Sequence, residues 1–464
     1  MDYENLEIQL EVKALGVCNS FGNDAETAIA FLLAHELTHY YEKHGWRNSF
    51  AEDFKDLKVS SFVVNNLSDD TANETEADYL GGFLAYSAGY GLFDKGSKVI
   101  QSLYSAYGLK ELLPGYPSLT DRQKLSQRTA EKIKSLVDVF EMANILTAIG
   151  SYPEAYEYYR YILTEYQSRE IYNNLGVTAL LDALQRFKSD ELKYRYPIEL
   201  DLESSGSKGQ DDQKQRTELL QKAILQFDAA ISLDPDYAPA YLNKAIAYAL
   251  MGDPVRARFY ADVEARQAAS NVYSKTLVDI DLLLGILEAN AGNNSKAKAF
   301  FKSAADAGSA LAQVNLKILQ KQALDIPISN KAKIAQIEKI DDLNIDDIAN
   351  NPKFYPNLTV IINDELKFNQ NPKIGSSSKL YISTVAGAKN PTLIHFTLPG
   401  YAGKTATSIG IGDSRAAITE KSGGNPKKTL ETTRGQILVY DKQLFILNKE
   451  GKLERWANYL LPAR

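Results

Sequence analysis

The sequence holds a single cysteine, Cys18, among 464 residues, so no intrachain disulfide can form. That fits a reducing compartment and leaves the periplasm open. Basic residues are not in excess: 52 Lys+Arg against 59 Asp+Glu give a net charge of -7, with no long basic run. Nucleic acid and anionic membrane surfaces are therefore not expected as partners. No apolar stretch approaches the roughly 20 residues that a transmembrane helix needs. No signal peptide precedes the opening segment MDYENLEIQLEVKALGV, in which Leu6, Ile8, Leu10 and Val12 alternate as on one face of a strand. So abrupt a start reads as a chain truncated upstream, which would place it in the periplasm or cell envelope; otherwise it is cytoplasmic. Histidine is scarce too, and three of the four lie in LAHELTHYYEKHG, residues 33–45.

The length suits two to four domains, and 44% hydrophobic with 24% charged residues is a globular composition. Residues 1–137 carry the histidines and read as a strand followed by helices. Residues 138–322 read as helical hairpins, residues 323–352 as a polar linker, and residues 353–464 as a β-rich domain. The middle region repeats. AYLNKAIAYALMGDPVRARFYA (Ala240 to Ala261) resembles a tetratricopeptide repeat in its placing of Tyr241, Ala245, Tyr248, Gly252 and Ala257, and LLGILEANAGNNSKAKAFFKSA repeats the pattern around Gly285, Gly292, Ala297 and Phe301. Small residues let paired helices approach, and each hairpin buries its apolar face on the next. About four hairpins are expected, interrupted by a mobile insertion near residues 187–214 that ends in ESSGSKGQDDQK. The expected fold class is multidomain and mainly α: an α+β metallopeptidase-type domain, an α-solenoid of hairpins, and a small β-rich (α+β) domain.

Residues 25–41, AETAIAFLLAHELTHYY, show helical periodicity through Ile29, Leu32, Leu33, Leu37 and Tyr40. His35 and His39 are four apart and share a face of that helix. Two imidazoles on a rigid helix suit tetrahedral zinc, and Glu36 is the expected general base of the HExxH arrangement. The third ligand decides the type. Glu42 stands where a G-x-x-H continuation would need Gly, and His44 comes one residue early, so His44 reads as a helix C-terminal residue beside Gly45. DDTANETEADYLGGFLAYSAG (Asp69 to Gly89) supplies carboxylates instead. Glu74 and Asp78 share a helix face while Glu76 points away. Glu74 is the candidate ligand, and Asp78 the candidate acceptor from a ligating histidine, which would fix its tautomer. Cys18 reads as a small buried residue rather than a ligand.

LLAHELTHYYEKH and NETEADYLGG together resemble the gluzincin metallopeptidases of the HtpX, CAAX prenyl endopeptidase and BepA kind, over about residues 5–137. The resemblance implies one Zn2+ per chain on His35, His39 and Glu74, with Glu36 as base. It also makes Leu6 to Val12 a candidate edge for pairing an extended substrate. Members of the BepA kind join such a domain to tetratricopeptide repeats, the order found here. The family's H-P-x-x-x-x-R segment has the counterpart YPSLTDR, with Tyr116 in the histidine's place and Arg122 retained. A Tyr116 hydroxyl could stabilise an oxyanion; a packed aromatic before a turn is the equal alternative.

In the last region, residues 410–459 read as one helix and a three-stranded meander, similar to small lipoprotein domains of the SmpA/OmlA (BamE-like) kind; His395 stands isolated. The expected function is a zinc endopeptidase acting on protein or peptide substrates, with a protein partner engaged through the repeats. The alternative is a repeat scaffold or chaperone-like binding protein with a vestigial zinc site. The tyrosine-rich YPEAYEYYRYILTEY (Tyr152 to Tyr166) is expected to offer an aromatic concave surface for an extended partner.

Overall fold

The computed structural model describes residues 8–40, 77, 81–82, 84–85, 88, 90, 95–113, 118–188, 191–198, 211–269, 273–322, 338–355, 359–432 and 435–462. The chain divides into two compact units, Met1–Glu141 and Met142–Arg464.

In the first unit, α1 (Val12–Asn19), α2 (Ala25–Tyr40), α3 (Gly96–Tyr107) and the start of α4 (Leu119–Ala148) are helices, and no strand occurs among the described residues. The expected strand from Leu6 to Val12 is corrected where it can be seen: Val12 begins a helix and is 86% exposed, and residues 8–11 pair with no strand. The alternation was too short to outweigh the helical spacing that follows it. That spacing seats Cys18, fully buried, against Ala28 of α2 and Val99 of α3. Burial pushes the Cys18 thiol above its ordinary value.

The second unit opens with the end of α4 and α5 (Tyr152–Glu165), then α6 (Arg169–Gln185) and α7 (Asp211–Leu233), then α8 (Ala238–Leu250). Next, α9 (Pro254–Arg258) runs through a π-helical stretch (Phe259–Ala265) into α10 (Arg266–Ala269). It continues with α11 (Ser274–Asn290), α12 (Asn294–Asp306) and α13 (Ala310–Leu319). These form four stacked hairpins and a closing helix. Side-chain size explains the stacking. A Cβ at Gly176 would lie 2.5 Å from the Phe227 ring, and one at Gly285 would lie 2.5 Å from the Phe301 ring, so each phenylalanine fills the space its facing glycine leaves. Gly252 and Gly292 close two of the turns at φ 77 and 81, where a side chain would be strained.

The expected mobile insertion is corrected over its described residues, while residues 189–190 and 199–210 lie outside them. Tyr194 and Tyr196, only 3% and 7% exposed, belong to the main core cluster of the hairpins, and α7 already begins at Asp211. Nor is the C-terminal region a separate body across a linker. Residues 338–352 of the expected linker are built into it, with Ile340, Ile345 and Ile348 buried, while residues 323–337 lie outside the described residues.

That region is one antiparallel sheet of eight strands, in the order β1-β2-β3-β4-β8-β7-β6-β5. The strands are β1 (Thr359–Ile361), β2 (Leu366–Asn371), β3 (Ser378–Val385), β4 (Thr392–Thr397), β5 (Lys428–Thr432), β6 (Gly435–Tyr440), β7 (Gln443–Leu447) and β8 (Leu453–Leu460). Two four-stranded meanders, each preceded by a short helix, α14 (Ile345–Ala349) and α15 (Arg415–Lys421), join through β4 and β8. The expected three-stranded meander thus gains β5 and is extended across β8 by a second meander. On one face Ile345 and Ile348 of α14 pack on Leu380, Ile382 and Leu393, while Ile418 of α15 lies with Leu438, Phe445 and Trp456. On the other face Phe368, Tyr381 and Phe396 form an edge-to-face series at 5.3 and 5.2 Å.

Candidate functional site

Helix α2 buries Ala28, Phe31, His35 and Thr38 along one stripe, with Ala30 and Ala34 beside it. This is not the stripe that the bulky residues indicate, since Ile29, Leu32, Leu33 and Leu37 are only half-buried. Small residues took the inner face because backbone comes close there. A Cβ on Gly81 would lie 2.7 Å from the His35 nitrogen and 2.9 Å from its Cα. Those contacts are shorter than any side chain tolerates. Ala77, Gly81, Gly82, Leu84 and Ala85 are helical, and Ala85 joins Ala30 and Ala34 in a small apolar cluster. A Cβ on Gly82 would meet Ile133 of α4 at 2.6 Å, with Phe31 at 3.9 Å. The paired glycines of NETEADYLGG therefore allow their helical segment to press against α2 at His35. The segment is seven residues downstream of Glu74 in sequence.

His35 is 9% exposed, Glu36 is half-buried on the next residue, and His39 follows one turn later on the same helix. Thr38 returns its hydroxyl to the Ala34 carbonyl at 2.8 Å, and Thr27 donates to the Tyr90 carbonyl at 2.8 Å. The His39 side chain, His44, Glu74, Glu76, Asp78 and Tyr116 lie outside the described residues. Among the described residues no group of three His, Cys, Asp or Glu is disposed to hold a metal; two of the three expected ligands lie outside that search. Arg122 is half-buried in the first turn of α4. That turn is set by Ser118, whose hydroxyl accepts from the Asp121 N–H at 3.1 Å and donates to its carboxylate at 2.8 Å.

The expected aromatic groove of α5 is corrected. Tyr152, Tyr158 and Tyr159 are at most 2% exposed. Tyr158 packs edge-on against Phe368 of β2 at 5.9 Å, and the Tyr159 hydroxyl meets Asn144 of α4 at 2.5 Å. The helix is held to the sheet by polar contacts as well. Ser383 donates to Glu154 at 2.9 Å, Asn363 to Glu157 at 2.8 Å, and Lys428 to the Tyr152 hydroxyl at 3.0 Å. Sequence spacing showed the tyrosines to be on helix faces but not that a sheet 200 residues later covers them. What remains open beside α5 is a recess of about 370 Å³ between α5, α6 and α7, lined by Tyr156, Asp182, Arg186, Glu218 and Lys222. Arg186 donates there to Gln215 at 2.6 Å and to Asp182 at 3.1 Å.

Comparison with known proteins bears on the hairpins. A tetratricopeptide-repeat family model matches residues 227–259, the end of α7 through α8 to the start of the π-helical stretch. No curated protein matches the chain. Among solved structures, the human IFIT1 dimer with PPP-AAAA is similar at 14% identity and a TM-score of 0.32, over 57% of this chain and 58% of that chain. A monomeric IFIT1 mutant with Gppp-AAAA aligns at 14% identity and a TM-score of 0.33, over 57% of each chain. The chain therefore spans less than two thirds of either relative. It contains a tetratricopeptide repeat within a mainly helical fold that ends in an antiparallel sheet, and repeats of this kind commonly mediate contacts between proteins. No helix among the described residues is long and apolar enough to cross a membrane.

Proposed function

We propose that this chain is a zinc-dependent endopeptidase whose repeats recruit or gate protein substrates. The observation that supports this reading is the backbone contact of Gly81 with His35, 2.7 Å from a Cβ to nitrogen, which brings the segment following Glu74 to the HExxH helix. Two imidazoles and a carboxylate are a donor set suited to zinc. His35, His39 and Glu74 would hold it, and Asp78 would orient a ligating imidazole. Zinc, when bound, supplies a Lewis acid that activates water near neutral pH. Glu36 accepts the proton of the attacking water and delivers it to the leaving amine. Tyr116 is the candidate donor to the oxyanion, with Arg122 following it in the same segment. The similarity of the C-terminal half-sheet to SmpA/OmlA (BamE-like) domains makes that region a docking module in this reading.

The second reading is a repeat scaffold with a vestigial zinc site. The tetratricopeptide match at residues 227–259 and the continuous hairpin core favour it. Zinc content and peptide cleavage, measured on the full chain and on Glu36→Gln, decide between them. Zinc-loaded chain that cleaves no peptide would leave the scaffold. Deleting residues 138–322 is not a usable test, because it cuts α4 in mid-helix and removes the helix on which the sheet rests.

A further inference from the structure

Glu191–Ile198, reading ELKYRYPI, leaves the α6–α7 hairpin and returns against the far end of the array. Its start is tied to its own hairpin. Arg216 of α7 donates to Glu191 at 2.7 Å and lies 4.2 Å over the Phe187 ring. The residues then alternate. Glu191, Lys193 and Arg195 are exposed or half-exposed, while Tyr194 and Tyr196 are buried, as in an extended chain lying on a surface. Tyr194 packs 5.8 Å from Phe301 of α12, and Tyr196 faces Asn290 at the end of α11. Between them, the Arg195 N–H donates to the Asn315 side-chain oxygen at 2.7 Å, and the Asn315 amide donates back to the Arg195 carbonyl at 2.7 Å.

Asn315, on α13, is fully buried, and its amide reads nothing but backbone. Two aromatic anchors at alternate positions and one amide clamp on the residue between them are what a site for an extended peptide provides. Nothing in these contacts requires that the peptide belong to this chain. The hold is also imperfect: the buried Tyr194 hydroxyl has no hydrogen-bond partner, which weakens a contact that a well-fitted core would satisfy.

We propose that the surface formed by Asn315, Phe301 and Asn290 is a binding site for extended aromatic-x-aromatic peptides, and that Glu191–Ile198 is its built-in occupant, which a partner protein must displace. The proposal rests on the reading of the repeats as the recruiting region. It is independent of the zinc chemistry, since its test measures no cleavage. The probe is the synthetic peptide ELKYRYPI, added in excess to the full wild-type chain, with amide hydrogen exchange followed segment by segment. Residues 191–198 are expected to exchange at least ten-fold faster than α11, and faster still with peptide present, while α11 keeps its protection. Exchange of residues 191–198 in step with α11, unmoved by peptide, would show a permanent part of the core and overturn the proposal. With a fluorescent form of the peptide, Tyr194→Ala/Tyr196→Ala is expected to bind at least ten-fold more tightly than wild type, and Asn315→Ala in that background to lose the gain. Equal binding of a peptide with both tyrosines changed to serine would equally overturn it. If the double variant does not fold, exchange in the wild-type chain decides alone.

Discussion

His35 and His395 are both shielded from solvent, at 9% and 0% exposure, yet their surroundings differ in kind. His35 lies on a helix between small residues, next to Glu36 and one turn before His39, where Gly81 closes on its backbone. His395 lies in the middle of β4, opposite Leu380 on one side and Asn458 on the other, and neither of its ring nitrogens has a partner. Burial holds its pKa down to about 4, against the weaker opposing pull of Asp341. Asp341 itself is taken up by Ser378 at 2.7 Å and the Ser377 N–H at 2.8 Å. A buried histidine therefore signals chemistry only when its neighbours can share the work. A base beside it and a second imidazole one turn away mark the first as a candidate ligand. An apolar sheet makes the second a neutral core residue.

Four substitutions sharpen or break this contrast. Glu36→Gln is expected to keep zinc and fold while lowering peptide hydrolysis by about 10²–10⁴-fold, the usual worth of a proton-transfer group. A folded, zinc-loaded variant that retains wild-type kcat/KM would remove Glu36 from the chemistry. His35→Ala is expected to take the metal content from about one ion per chain to almost none, whereas His395→Leu leaves it unchanged. Elemental analysis after dialysis reads both, and equal loss from the two would erase the distinction drawn between them.

The third test is the pH dependence of stability. His395 in the unfolded chain takes up its proton near pH 6.5, but in the folded chain only near pH 4. Between those values the unfolded state binds more protons, so stability falls as pH drops through this window and levels off below it. The whole effect is about 3 kcal/mol. His395→Leu should flatten this part of the curve in denaturant titrations of the second unit's signal. An unchanged slope would mean that His395 is protonated in the folded state. The smallest effect is expected from Gly81→Ala, whose methyl would lie 2.7 Å from the His35 nitrogen. Overpacking of this kind costs about 1–3 kcal/mol. Zinc affinity should weaken together with stability, and a variant that lost neither would show that the contact does not shape the His35 site.

The hairpins were legible in the sequence because repetition averages out local ambiguity. Ala245, Gly252, Gly285 and Phe301 recur at spacings that only stacked helices explain, and they sit in the array as that pattern demands. The HExxH helix was equally legible, since its periodicity and its two candidate histidine ligands lie within one continuous stretch. Its inner face was not legible, because hydrophobic size ranks Leu33 above Ala34, whereas the close approach of Gly81 selects the small residue. The short alternation from Leu6 to Val12 failed for want of length, as it held too few residues to compete with the helix beginning at Val12.

What the sequence determined by itself was therefore local: helix, hairpin, strand, and the spacing of chemical groups along each. The tertiary structure decided which faces are covered and by what. Tyr158 looked free for a partner until Phe368 of β2, 210 positions later, was found against it. Tyr194 and Tyr196 looked like part of a loose insertion until Asn315 was found holding the backbone between them, 120 positions away. The physical reason is that periodicity reports what a segment can bury, while burial itself depends on which distant surface arrives. In one chain the arriving surface is set by the whole packing, and no single stretch of sequence encodes it.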